Sequence, residues 1–308
     1  IVDPWWSTDN YSCIGVGPVV VYNQDPSLAG TVIVSSHMTI QAAIDASTTL
    51  DGYYIAVSSG NYDELINVNK EVTISGHGAD NTLLQKTSPE ANANFLTISA
   101  SNVVIKDIAI VGPAGVSSTR GIYMNGTYSD IIVENVISNQ HNYGIFADAL
   151  SVITGLTLTN TTLNVNGNGL EIAAGAKIDG LTITGGEMSG NSFGLSASAI
   201  NDQDNSNDLK NVNITNTTFE NNGVFGLLFN KGQAMTLTGL TVTGNGNAST
   251  FGVGAGIYFT WRQGTYSGIT VTNSTISGNR TSGTDNGGGI WVRPRAGASV
   301  TGVSVTNN

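Results

Sequence analysis

Polar and apolar residues alternate along most of this chain, in short runs that recur. One run reads VTISG from position 72. Its copies are VVIKD at 103, IIVEN at 131, LTLTN at 156, LTITG at 181, VNITN at 212, MTLTG at 235, ITVTN at 269 and VSVTN at 303. A second run sets a glycine beside an aliphatic residue and then a freely varying one. It reads GIYMNG at 121, YGIFADA at 143, GLEIAAG at 169, FGLSASA at 193, FGLLFN at 225, AGIYFT at 255 and GGIWVRP at 288. A period of two, rich in Val, Ile, Leu and Thr, predicts half-buried strands. Glycine and asparagine between the runs supply the bends.

Copies of the first run start 23 to 34 residues apart. A unit that short, holding two or three strands, cannot bury a face alone. Stacking unit on unit solves this, with each strand pairing to its copy one turn along. The reading is an all-β solenoid of parallel strands, with the uneven spacing absorbed in loops. In GLEIAAG, Leu170 and Ile172 point inward. Ile122, Ile145, Leu195, Leu227, Ile257 and Ile290 are the expected copies of Leu170 in one aliphatic column. The varying letter points out, as Tyr123, Phe146, Glu171, Ser196, Leu228, Tyr258 and Trp291. Rungs about 4.8 Å apart over eight intervals give a rod of roughly 40 Å. Asparagines recur after six copies of the first run, at Asn139, Asn166, Asn191, Asn222, Asn245 and Asn279.

The opening of the repeat region, TVIVSSHMTIQAAIDAS followed by YYIAVSSGNYDELINVNKEVTISGHGADNTLLQ, resembles right-handed parallel β-helix proteins of the pectin-lyase-like superfamily. The resemblance covers residues 31–308 and implies that fold. It also implies a short capping helix near 39–47, with Thr39 as N-cap and Ile40, Ala43 and Ile44 on one apolar face that closes the end of the rod. Residues 1–30, with Pro4, Trp5 and Trp6, do not fit the repeat and read as a tail or junction, or as a segment that packs along the rod. Val303–Asn308 align with Ile269–Ser274, so the rod is expected to be incomplete at its C-terminal end. A neighbouring module or an identical subunit would stack there. A start at Ile1 is expected of a processed chain or an excised fragment.

Composition narrows the function. Only 11% of residues are charged and the net charge is −11, which repels phosphate backbones and argues against nucleic-acid binding. Cys13 is the sole cysteine, so no intrachain disulfide forms. No apolar run approaches the roughly 18 residues of a membrane span. An extracellular or cell-surface location follows from the elongated, charge-poor repeat.

Three constellations carry candidate chemistry. Tyr258, Trp261 and Arg262, with Trp291, Arg293 and Arg295 on the next rung, offer rings for sugar faces and guanidinium forks for carboxylates. They read as a ligand strip for an acidic polysaccharide or cell-surface glycan, or as a surface covered by a loop. Asp148 and Glu171 lie on adjacent rungs and form a weak catalytic carboxylate pair, with Arg262 or Lys231 as the basic residue of a lyase. Asp202, Asp204 and Asp208 alternate in NDQDNSND, and calcium is the cation such oxygens would take. No other cofactor is indicated. The three histidines show no metal spacing. Eight N-x-S/T sequons occur, at Asn10, Asn125, Asn160, Asn213, Asn216, Asn247, Asn273 and Asn279.

The opening is also similar to pectin methylesterases, but NQHNYGIFADAL lacks the aspartate of their G-Y-Q-D-T phrase, and D-F-I-F-G is absent. The favoured reading is a non-catalytic extracellular module (adhesin, stalk or filament subunit) with a carbohydrate-binding strip. The alternative is a polysaccharide lyase or glycoside hydrolase.

Overall fold

The computed structural model describes residues 18–23, 35–113, 118–201, 203–247, 254–281 and 288–308. Its strands form three faces around one core. The longest face is a twelve-stranded sheet running from Ser35–His37 and Val19–Asn23 through Tyr53–Val57 and Val72–Ser75 to Ala298–Thr306. Along it Ile131, Leu156, Leu181, Val212, Met235, Ile269 and Val303 lie in register, all in parallel pairs. The second face is a nine-stranded sheet from Ile66–Val68 to Gly288–Val292. The third comprises a four-stranded and a three-stranded sheet. Single bridges from Ile137 through Thr162 and Glu187 to Thr218 join these two into one line.

The expected column on the second face forms as read. Ile122, Ile145, Leu170, Leu195, Leu227, Ile257 and Ile290 are stacked partners. The first six are fully buried and belong to one continuous core. The outer letters from Tyr123 to Trp291 share the same register.

The start departs from the expected boundary at residue 30. Val19–Asn23 is a strand of the twelve-stranded sheet, antiparallel to Tyr53–Val57 and to Ser35–His37. Val19 and Val21 are buried in the core, so this stretch is part of the rod rather than a tail. Pro4, Trp5, Trp6 and Cys13 lie outside the described residues. A helix spans Ile40–Asp45, with the Thr39 hydroxyl accepting from the Ala42 amide at 3.1 Å. Glu64 accepts from the Ile40 and Gln41 amides at 2.8 and 2.9 Å, so a carboxylate meets the helix start.

Asparagine supplies the polar interior. Asn166 Oδ1 accepts from the His141 amide, and Asn191, Asn222, Asn245 and Asn279 each accept from the asparagine amide one rung back, at 2.7–3.0 Å. Their Nδ2 atoms donate to the carbonyls of Ser138, Leu163, Met188, Phe219 and Val242. The ladder satisfies main-chain groups that bend away from the sheets, where an orphan would be costly. Asn139 is not a member. It accepts from Asn164 in a neighbouring column, and His141 occupies the first ladder position.

Candidate functional site

The outer side of the nine-stranded sheet gathers the candidate chemistry. It has two halves, set by which residue the varying letter places on each rung.

The first half is polar and aromatic. The Tyr123 hydroxyl donates to Asp148 Oδ2 at 2.6 Å, and Asp148 Oδ1 accepts from the Ala149 amide. Tyr143 stacks on Phe146 with centroids 4.5 Å apart. The Arg120 guanidinium lies 5.3 Å from both the Tyr123 and Phe146 rings. Glu171, beside Phe146 in register, accepts from Asn168 Nδ2 at 2.9 Å and from the Ser198 hydroxyl at 3.0 Å. It is only 8% exposed. Burial pushes its carboxyl above the usual range, against the hydrogen bonds from Ser196, Ser198 and Asn168. Burial, together with the Asp148 carboxylate, raises the Tyr123 hydroxyl as well.

Asp148 and Glu171 thus stand on neighbouring rungs, each tied to its own partners. Lys231 is committed too. It is fully buried, and Nζ donates to the Ala173 carbonyl at 3.0 Å and to the Ala176 carbonyl. Burial pushes its ammonium down to about 8, with Asp208 and Glu171 opposing the shift. It pins the 173–176 turn across the rungs.

The second half is apolar. Phe225 and Tyr258 pack with Val224 and Ala255, flanked by Phe193, Leu228 and Trp291. Tyr258 stacks on Trp291 with centroids 4.3 Å apart and rings 10° from parallel. It is 5% exposed and serves as the floor beneath Trp291. Arg293 lies 5.3 Å from the Trp291 ring, and Arg295 Nε donates to the Thr260 hydroxyl at 3.1 Å. Both arginines are exposed, whereas Trp291 and Arg262 are half-buried.

Trp261 leaves the expected strip. It is fully buried, its Nε1 donates to the Gly232 carbonyl at 3.1 Å, and it stacks on Phe259 and Tyr266. The reason is local: Ile257, Phe259 and Trp261 share the inward parity of one strand, and the period of two runs past the strand end. The strip contracts to Trp291, Arg293 and Arg295 on a Tyr258 floor, with Arg262 at its margin.

Asp202 lies outside the described residues. Asp204 accepts from the Ser206 amide at 2.9 Å, and Asp208 sits 3.9 Å from Lys177 Nζ. Among the described residues no group of three or more His, Cys, Asp or Glu side chains converges on a metal position.

Sequence reasoning missed two features. Arg120 opens its strand and lies over the outer aromatics, and Tyr123 reaches across a rung to Asp148. Tyr123 stood in the outer column, but its partner is 25 residues away and belongs to another run.

The fold therefore defines a stacked parallel β-helix with a decorated outer sheet. It is of the right-handed kind: residues 120–266 match the model of the family described as "Right handed beta helix region". Over 100 residues the chain is 38% identical to a protein of Methanothermus fervidus called "Cell surface glycoprotein". That stretch spans 32% of this chain and 15% of the relative's length. Among solved structures, the A-modules of the Azotobacter vinelandii mannuronan C-5 epimerases AlgE6 and AlgE4 are similar at 15% and 13% identity, with TM-scores of 0.42 and 0.41. Each alignment covers 87% of this chain and 94% of the module. Likeness at that level carries nothing about chemistry. Among the described residues no helix is long and apolar enough to cross a membrane.

Proposed function

We propose that this chain is an elongated, non-catalytic β-helix module of a cell-surface protein, and that its ligand face is the outer side of the nine-stranded sheet around Trp291. The observation that carries this reading is the apolar floor of that face, which ends in a half-buried tryptophan flanked by two exposed arginines. Such a platform suits a sugar ring bearing a carboxylate, because the indole takes the ring face and a guanidinium takes the acid. The likeness to a cell-surface protein of Methanothermus fervidus supports the location. Adhesion or a filament role fits the same rod. In the polysaccharide-degrading alternative Asp148 and Glu171 would be the working carboxylates, held by the hydrogen bonds from Tyr123, Asn168 and Ser198.

The test is binding and turnover on a panel of acidic and neutral polysaccharides. Trp291→Ala is expected to weaken binding about tenfold or more, in line with loss of an aromatic anchor, while costing only about 1 kcal/mol of stability through the lost stack on Tyr258. Trp261→Ala is expected to do the reverse and destabilise the rod by about 3–5 kcal/mol, because it empties a core site. Turnover that Glu171→Gln abolishes would replace the non-catalytic reading with the enzymatic one.

A further inference from the structure

One turn of the rod repeats a single position on successive rungs. It follows the register line Glu134, Thr159, Thr184, Thr215, Thr238, Thr272 and Thr306. The residues one step on from Thr159 to Thr272 are Asn160, Gly185, Asn216, Gly239 and Asn273. All five hold positive φ, between 48° and 66°. Asparagine and glycine thus alternate, and all three asparagines open N-x-T sequons: NTT, NTT and NST.

We propose that Asn216 and Asn273, with Asn160, are N-glycan acceptors, forming a row of saccharides down one edge of the rod at every second rung. The proposal rests on the cell-surface reading above. All three asparagines are exposed. The intervening glycines clear the space. A Cβ on Gly185 would collide with Asn160 Oδ1, and one on Gly239 with Asn216 Oδ1. The Asn160 and Asn216 carboxamide oxygens therefore lean on the next rung. The rung before Asn216 is Gly185 and the rung before Asn273 is Gly239, neither with a side chain to accept from Nδ2. Among the described residues neither carboxamide donates a hydrogen bond. Asn160 follows Asn135 instead and donates one hydrogen to Asn135 Oδ1 at 3.4 Å, which leaves its second N–H open. Acceptors two rungs apart stand about 10 Å from one another, room for one sugar beside the next.

The step is a substitution at carbon without redox change. Nδ2 attacks the anomeric carbon of a glycosyl-phosphate donor, in the active site of the cell's own transferase. The N–C bond forms, the C–O bond to phosphate breaks, phosphate leaves with the bonding pair, and one Nδ2 proton is lost. The product amide keeps one N–H, so Asn160 retains its bond to Asn135.

Two sequons contrast with the row. Asn279 belongs to the inner ladder: its Oδ1 accepts from Asn245, its Nδ2 donates to the Val242 carbonyl at 2.9 Å, and it packs against Gly256. A glycan there would break the stack. Asn213 is exposed, but it lies inside a strand paired on both sides, and the hydroxyl of its Thr215 donates to Thr184.

The experiment is glycopeptide mass spectrometry on the protein recovered from its native cells, with surface biotinylation of the same culture. Saccharide mass is expected on Asn216, Asn273 and Asn160, with Asn279 bare. Thr218→Ala and Thr275→Ala should each remove one glycan and leave the unfolding midpoint where it was. They change the sequon without touching the asparagine. A biotinylated chain with Asn216 or Asn273 bare, or with Asn279 modified, overturns the row and leaves the surface reading standing. An unlabelled, unmodified chain overturns both.

Discussion

Asn222→Ala is expected to lower the denaturation midpoint with a loss of about 3–5 kcal/mol, since each main-chain group left unpaired in a buried site costs about 1–3 kcal/mol. Asn222 is fully buried. Its Oδ1 accepts from the Asn191 amide at 3.0 Å, and its Nδ2 donates to the Met188 carbonyl at 2.9 Å. Alanine orphans both and leaves a void as well. The ladder continues to Asn245 and Asn279, so the loss is felt on both neighbouring rungs. Asn213→Ala, at an exposed strand position, is the control and is expected to stay within about 0.5 kcal/mol. Chemical denaturation followed by circular dichroism reads both. A change at Asn222 no larger than that of the control would mean that the ladder does not hold the rod together.

Acidification is expected to destabilise the rod through His141. The ring is 4% exposed, packs edge-on against Phe95, and meets the Thr119 hydroxyl at Nδ1 and the Ile110 carbonyl at Nε2. A carbonyl only accepts, so Nε2 carries the hydrogen and the neutral ring is satisfied on both sides. Burial, partly offset by the Ile110 hydrogen bond, holds its pKa down to about 4 against 6.5 in the open chain. The unfolded chain therefore binds a proton at a pH where the folded chain does not. Stability from this site is full above pH 6.5 and is lost as pH falls through 4, by about 3 kcal/mol in all. Glu171 runs the other way, because its raised pKa favours the folded form as it protonates. The difference between parent and His141→Asn isolates the histidine. Asparagine restores the ladder residue of the other rungs, and the variant is expected to lose most of the slope between pH 6.5 and 4. An unchanged slope would assign the acid sensitivity elsewhere.

Much of the fold was legible because its determinants are local. Alternation with a period of two marks strand and face together, so Leu170 and its six copies, and the outer letters beside them, fall into register from the sequence alone. Trp261 was legible by the same rule and was misread. Its neighbours Tyr258 and Arg262 drew it into a surface cluster, although its parity with Ile257 and Phe259 places it inside. The ladder was half legible: the recurring asparagines were visible, but not which of them meet. Asn139 looked equivalent to Asn166, and His141 in fact holds that position.

The sequence by itself determined that the chain is a stack of parallel rungs, which residues alternate inward and outward, and that the chain is acidic and poor in charge. Periodicity and composition are properties of neighbours along the chain, and neighbours suffice to specify them. Only the tertiary structure decided that the outer column is largely covered, with Glu171 and Tyr258 shielded and Arg293 and Arg295 left in solvent. Only it decided that Lys231 is spent on two carbonyls, and that Asn160, Asn216 and Asn273 share an edge while Asn279 turns inside. Those outcomes depend on what lies one or two rungs away. One rung is 23 to 34 residues along the chain, and Lys231 reaches across two, to carbonyls 58 and 55 residues away, at separations that each loop sets differently.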